Sequence, residues 1–228
     1  MSVLSNNFFI GGYWIKDNFT VEEYQSKIER LVYLFKQYFS DYQQVKIVED
    51  GKTVVEISND TNRLSTFLRN EVTIDQEGFF IEIIIENEKS AISITVKGGM
   101  SELNKKLPAD SQIPNSFTLS FHQSQINDIK ELHILLEQLS RIWKAEYITF
   151  SSDEIIDELS EEVEDYLIGT VMYFDKAIIK DKNITTEQEI LLENGKIISL
   201  GFHPAQAFVP ENLEKLKALH RKLNKRGS

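Results

Sequence analysis

Residues 79–96 read FFIEIIIENEKSAISITV: two runs of β-branched and aromatic residues, Phe79–Ile85 and Ala91–Val96, separated by Asn87-Glu88-Lys89. In the second run Ile92, Ile94 and Val96 alternate with Ser93 and Thr95, the period of two that marks a strand with one buried face. The first run is almost wholly apolar and predicts a strand buried on both faces. So short a break makes the pair a hairpin, because parallel neighbours need a crossover of about a dozen residues or more. The sheet is therefore expected to be antiparallel.

The same signal recurs on either side. Val45–Val48 and Thr53–Ile57 flank Asp50-Gly51, and Glu189–Leu192 and Lys196–Phe202 flank Asn194-Gly195, both turn dipeptides. Phe8–Ile15, Phe117–Phe121, Tyr147–Phe150 and Leu167–Phe174 add single strands. Gly11-Gly12 marks a bulge or a close backbone approach in the first of these, and Trp14 belongs to the core. Helices are predicted where the apolar period lengthens. Thr20 and Glu23 form a capping box before Val21, Tyr24, Ile28, Leu31, Val32, Phe35, Tyr38 and Phe39, giving a helix over about 21–39. Asp60 caps a brief helix through Leu68. Ile129, Leu132, Leu136, Leu139 and Trp143 set a third, and Pro210 opens a closing helix with Leu213, Leu216, Leu219 and Leu223 facing the sheet. Gly98–Asn115, with Pro108 and Pro114, reads as a long surface connection and Lys176–Thr186 as a polar connector. Strands joined mostly by hairpins, with helices at intervals, predict an α+β fold with a largely antiparallel sheet, and one domain over 1–228 is the default for this length.

Composition narrows the function. With 41% apolar residues, 11% aromatics and no apolar run long enough to span a bilayer, the chain is expected to be soluble and globular. Met1–Asn7 lacks a basic segment followed by an apolar one, so no secretory signal is read, and the absence of cysteine removes disulfides and thiolate chemistry. A cytoplasmic location follows as the expectation. The 25 basic and 36 acidic residues leave a net charge of −11, which disfavours direct contact with nucleic acid or anionic membrane and favours a basic protein partner.

The acids are concentrated. Asp153, Glu154, Asp157, Glu158, Glu161, Glu162, Glu164 and Asp165 are eight carboxylates in thirteen residues, with no Lys or Arg between Lys144 and Lys176. At about 100° per residue, Ile155, Ile156, Leu159, Val163 and Tyr166 fall on one arc and all eight acids on the other. Such a helix docks by its apolar stripe and carries about one negative charge per 2.5 Å, not far below the density along duplex DNA. A protein surface built to hold nucleic acid could hold this helix. A solvated face serving solubility explains the same charge.

Signatures of chemistry are scarce. No GxxxxGK[ST], GxGxxG, HExxH, GxSxG or EF-hand loop occurs. His122, His133, His203 and His220 are too scattered for a local metal motif. The clustered acids face solvent, away from the burial that would drive their pKa values apart for acid–base work. Gly11-Gly12 lacks a following helix start to cradle a phosphate, and Gly98-Gly99 more simply ends a hairpin. No enzymatic role, cofactor or metal is expected.

In order along the chain, Gly11-Gly12-Tyr13-Trp14 before the first helix, Leu136, Leu139 and Trp143 before the strand to Ser151, Gly169 and Tyr173, and Asn194-Gly195 before the last strand and helix resemble the immunity protein 52 family of bacterial polymorphic-toxin systems. The chain departs from that pattern at Lys144-Ala145 and at Thr170. The resemblance implies an antidote that binds and blocks a cognate toxin, typically a nuclease domain of restriction-endonuclease type. Such a toxin has a basic substrate face, which the eight acids, with Glu146 and Asp175, would reach and occlude. Tyr13, Trp14, Trp143 and Tyr173 are assigned to the core rather than to the interface. The alternatives are an acidic adaptor or DNA-mimicking regulator of another basic protein and, more remotely, an enzyme whose site is assembled from distant residues such as His122, His203 and the acids.

Overall fold

The structure, a computed structural model, describes residues 7–14, 21–38, 44–49, 52–56, 66–67, 70, 79–87, 91–98, 115–122, 128–159, 166–182, 186 and 188–224. The cap at Thr20, the Asp50-Gly51 turn, most of the Asp60–Leu68 segment and nearly all of the connection after Gly98 lie outside these residues. The fold is α+β, and the strand pairs within each unit described below are antiparallel. The chain forms two compact units, Tyr13–Leu119 and Met1–Gly12 with Ser120–Ser228. The divisions fall inside strands β1 (Asn7–Trp14) and β6 (Asn115–His122).

In the unit Tyr13–Leu119, β2 (Gln44–Glu49), β3 (Lys52–Glu56), β4 (Phe79–Glu86) and β5 (Ala91–Gly98) stand in the order β3-β2-β4-β5. The decisive hairpin pairs Glu86 with Ala91 and Phe79 with Gly98. β5 alternates as its sequence predicts, with Ile92, Ile94 and Val96 wholly buried. β4 is buried on one face only: Ile81, Ile83 and Ile85 are inside, while Phe80 is 64% exposed and Glu82 and Ile84 are half-buried. An apolar run does not by itself show two covered faces, and here Glu82 and Glu86 on the outer face accept from Ser93 Oγ (2.9 Å) and Lys46 Nζ (2.7 Å). Helix α1 (Val21–Tyr38) buries Tyr24, Ile28, Leu31, Val32, Leu34 and Phe35. The Tyr24 ring lies where a side chain at Gly98 would stand, and its hydroxyl donates to Asn115 Oδ1 (3.4 Å).

In the other unit, β7 (Tyr147–Ser152), β8 (Val171–Asp175), β9 (Gln188–Leu191) and β10 (Gly195–Ser199) stand in the order β7-β8-β10-β9. Helix α2 (Ile129–Trp143) is capped by Asp128, which accepts from Lys130 N (2.8 Å), and ends at Lys144 in the left-handed region (φ 50°). Its stripe of Leu132, Leu135, Leu136, Leu139 and Trp143 is buried. Helix α3 (Asp153–Leu159) follows β7 directly. β8 begins at Val171, four residues later than its apolar run predicts, because 167–170 bend past β7, with Thr170 N donating to Phe150 O (2.9 Å). The polar segment after it folds as helix α4 (Lys176–Lys182), Asp175 Oδ1 accepting from Ile178 N (2.9 Å). Helix α5 (Pro210–Leu223) buries Leu216, Leu219 and Leu223, while Leu213 is half-buried.

Candidate partner-binding surface

Of the acidic segment, the structure describes Asp153–Leu159, which is helix α3. Ser152 stands immediately before α3, and its Oγ accepts from Ile155 N (3.4 Å). Ile155 and Leu159 are buried and Ile156 half-buried, which turns Asp153, Asp157 and Glu158 to solvent and leaves Glu154 at the boundary. Glu161, Glu162, Glu164 and Asp165 lie outside the described residues. The phase predicted for the segment holds over its described half.

The cations that the local sequence lacks arrive from α5. The His203 ring packs on Phe150 (centroids 5.5 Å apart), Lys217 Nζ bridges Glu158 Oε1 (3.1 Å), and Asn224 Nδ2 donates to Tyr166 O (3.3 Å). Phe150, Glu158 and Tyr166 are thus met in turn by His203, Lys217 and Asn224. Glu158 is held by this contact. Among the described residues no salt bridge reaches Asp153, Glu154 or Asp157. Partial burial, then the neighbouring charges of Glu154 and Asp157, raise the Asp153 carboxyl above its ordinary value. Three carboxylates thus crowd one turn of helix, and their mutual repulsion favours an incoming cation.

Glu146 and Asp175 do not join them. They meet each other, Asp175 N donating to Glu146 O (2.8 Å), but at the start of β7, whose six residues (about 20 Å) separate them from Asp153. Asp175 moreover caps α4. Trp14, Trp143 and Tyr173 are buried and Tyr13 is half-buried, its hydroxyl pKa pushed up to about 12 by burial.

Apolar neighbours were not legible in the sequence. Phe150, Val171 and Ser199 pair across β7, β8 and β10, so the chain leaving β10 emerges at the same end of the sheet as α3. There His203 meets Phe8 (5.0 Å) and Phe150 edge-to-face, and caps a 3-10 turn, Pro204–Gln206, by accepting at Nδ1 from Ala205 N (3.2 Å). Phe208 and Val209 follow, 47% and 52% exposed. An anionic turn and two exposed apolar side chains at one end of the sheet can hold a cationic protein surface by charge and by apolar contact. Among the described residues no three His, Asp or Glu side chains are placed to hold a metal ion, and no helix is long and apolar enough to cross a membrane.

The fold has a counterpart. Over 96% of this chain and 73% of the other, it superposes on the solved structure titled "Pseudomonas aeruginosa T6SS protein PA0821", with a TM-score of 0.56 and 11% sequence identity. At that identity the likeness is one of fold. No protein-family model matches the chain, that of immunity protein 52 included, and no curated protein matches it.

Proposed function

We propose that this chain is an immunity protein that binds and neutralises a cognate bacterial toxin, a nuclease whose basic substrate face is occluded by the acidic end of β7 and α3. The observation that carries the reading is the group of exposed Asp153 and Asp157 with half-buried Glu154, which no salt bridge reaches among the described residues, beside Glu158, which Lys217 bridges. A net charge of −11 adds long-range attraction to a cationic protein, which speeds encounter more than it tightens the final complex. The shared fold of a protein from a bacterial secretion system supports a role in competition between bacteria.

Two experiments test this. Co-expression with the reading frame next to its gene should rescue cells that the neighbour alone kills; a harmless neighbour, or one that kills regardless, overturns the antidote reading. The triple variant Asp153→Lys, Glu154→Lys, Asp157→Lys, which spares the Glu158–Lys217 bridge, should slow association with the toxin by roughly 10- to 1,000-fold at low salt. An unchanged association rate in a folded variant removes α3 from the interface.

A further inference from the structure

Asn194-Gly195 is the one Asn-Gly pair of the sequence, and the fold does not close it as the tight turn that the dipeptide favours. Leu192 N donates to Gly195 O (2.9 Å), but among the described residues no bond returns from Gly195 N to Leu192 O. Neither Asn194 nor Gly195 has a positive φ. Glu193 and Asn194 are exposed, and the Asn194 side-chain amide makes no hydrogen bond among the described residues. An amide carbon open to solvent is thus followed by a backbone nitrogen whose hydrogen is not held across the turn. Glycine also leaves that nitrogen without a neighbouring β-carbon to hinder its approach.

The peptide group joining the two residues is polarised from outside. Asn194 O accepts from Lys176 N (3.2 Å) and from the Tyr173 hydroxyl (3.3 Å). When a peptide nitrogen loses its proton, resonance spreads the negative charge onto the oxygen of the same group, which here is Asn194 O. Both donors therefore stabilise the anion more than the neutral amide, and the burial of Tyr173 keeps water from weakening its share. The fold also fixes the glycine, because a β-carbon at 195 would meet the Phe174 carbonyl oxygen and the Tyr173 ring.

The geometry points to Asn194 as a site of spontaneous deamidation. Hydroxide removes the Gly195 N–H proton, and the nitrogen bonds to Asn194 Cγ. The Cγ–Nδ2 bond breaks, and Nδ2 leaves as ammonia with its third hydrogen taken from water, which restores the hydroxide. Water then opens the cyclic imide at either carbonyl, giving aspartate or isoaspartate with no change of oxidation state. Each product adds one negative charge to a chain already at −11. Isoaspartate also routes the main chain through the β-carbon between β9 and β10, which takes the residue's carbonyl off Tyr173 and Lys176.

The full chain, held in mildly alkaline buffer and mapped by peptide mass spectrometry, should convert Asn194 ahead of its other asparagines and release ammonia in step. Asn194→Ser should lack that early ammonia. Tyr173→Phe should slow conversion roughly three- to tenfold, the worth of one hydrogen bond. Lys176→Pro should do the same, since it deletes an N–H at the first position of α4, where proline is tolerated. Thermal midpoints verify that each variant folds. Asn194 surviving the incubation, or converting after other asparagines, overturns the site whatever the variants do. Equal or faster conversion in a folded variant overturns the part assigned to its donor. Toxin binding through α3 is untouched by any of these results.

Discussion

Gly169 and Gly195 show how a single side chain is excluded by its neighbours rather than by its own backbone. A β-carbon at Gly169 would collide with the Phe150 carbonyl oxygen and Thr149 Oγ1 and lie 2.8 Å from the Phe150 carbonyl carbon. At Gly195 it would meet the Phe174 carbonyl oxygen and, at 2.7 Å, the Tyr173 ring. Gly195 is thus required by the approach of β8, whereas the dipeptide Asn194-Gly195 points to a turn; the positive φ in this region belongs to Gly201 (78°). Gly169→Ala is expected to cost about 1–3 kcal/mol, because the Phe150 carbonyl is backbone and cannot rotate away, and a thermal or urea midpoint measures it. Tyr13 offers a second test. Its pKa is raised from 10.0 to about 12 by burial, so the folded state's preference for the protonated ring is fully present below pH 10 and is lost as pH climbs toward 12. Denaturant midpoints should fall over that window, and Tyr13→Phe should flatten the fall; parent and variant losing stability in parallel would assign the alkaline sensitivity to other groups.

Helices and strands formed where periodicity and capping agreed. α1 and α2 carry apolar stripes long enough to be recognised, and α2 is fastened by Asp128. Asp128→Ala should cost about 1 kcal/mol in a denaturation experiment, the usual worth of an N-cap. α4 has no period to mark it, its seven residues offering Ile178 and Ile179 as the apolar pair; its sequence signal is Asp175, a cap residue that also reads as an exposed acid. β4 erred the other way, since its apolar run carries no mark of which face is covered. Glu82 and Glu86 were the clue, both spent on cross-strand partners at the outer face.

For the molecule as a whole, the consequential quantity is where uncompensated charge lies. A net charge of −11 says only that the acids outnumber the bases, while the approach of α5 to α3 neutralises Glu158 through Lys217 and leaves Asp153 and Asp157 outward, with Glu154 half-buried beside them. A cation brought against Asp153 lowers the pKa that burial and its neighbours have raised, so the free protein holds more proton there than the complex does. Toxin binding should therefore tighten as pH rises through that titration and release a fraction of one proton. Calorimetry in buffers of different ionisation enthalpy reads the release directly, and heats that do not depend on the buffer would place the contact elsewhere.

What the sequence determined by itself is local: the antiparallel pairing forced by short breaks between β-branched runs, the stripes of α1, α2 and α5, and the phase that turns the acids of α3 away from Ile155 and Leu159. Each follows from dihedral preference and side-chain period over a few residues. Only the tertiary structure decided which acids keep a cation, which strand face is covered, and that Tyr173 and Lys176 meet the Asn194 carbonyl. Those outcomes depend on segments distant along the chain meeting in space, and electrostatic and burial energies are set by that separation in space rather than by position in the chain.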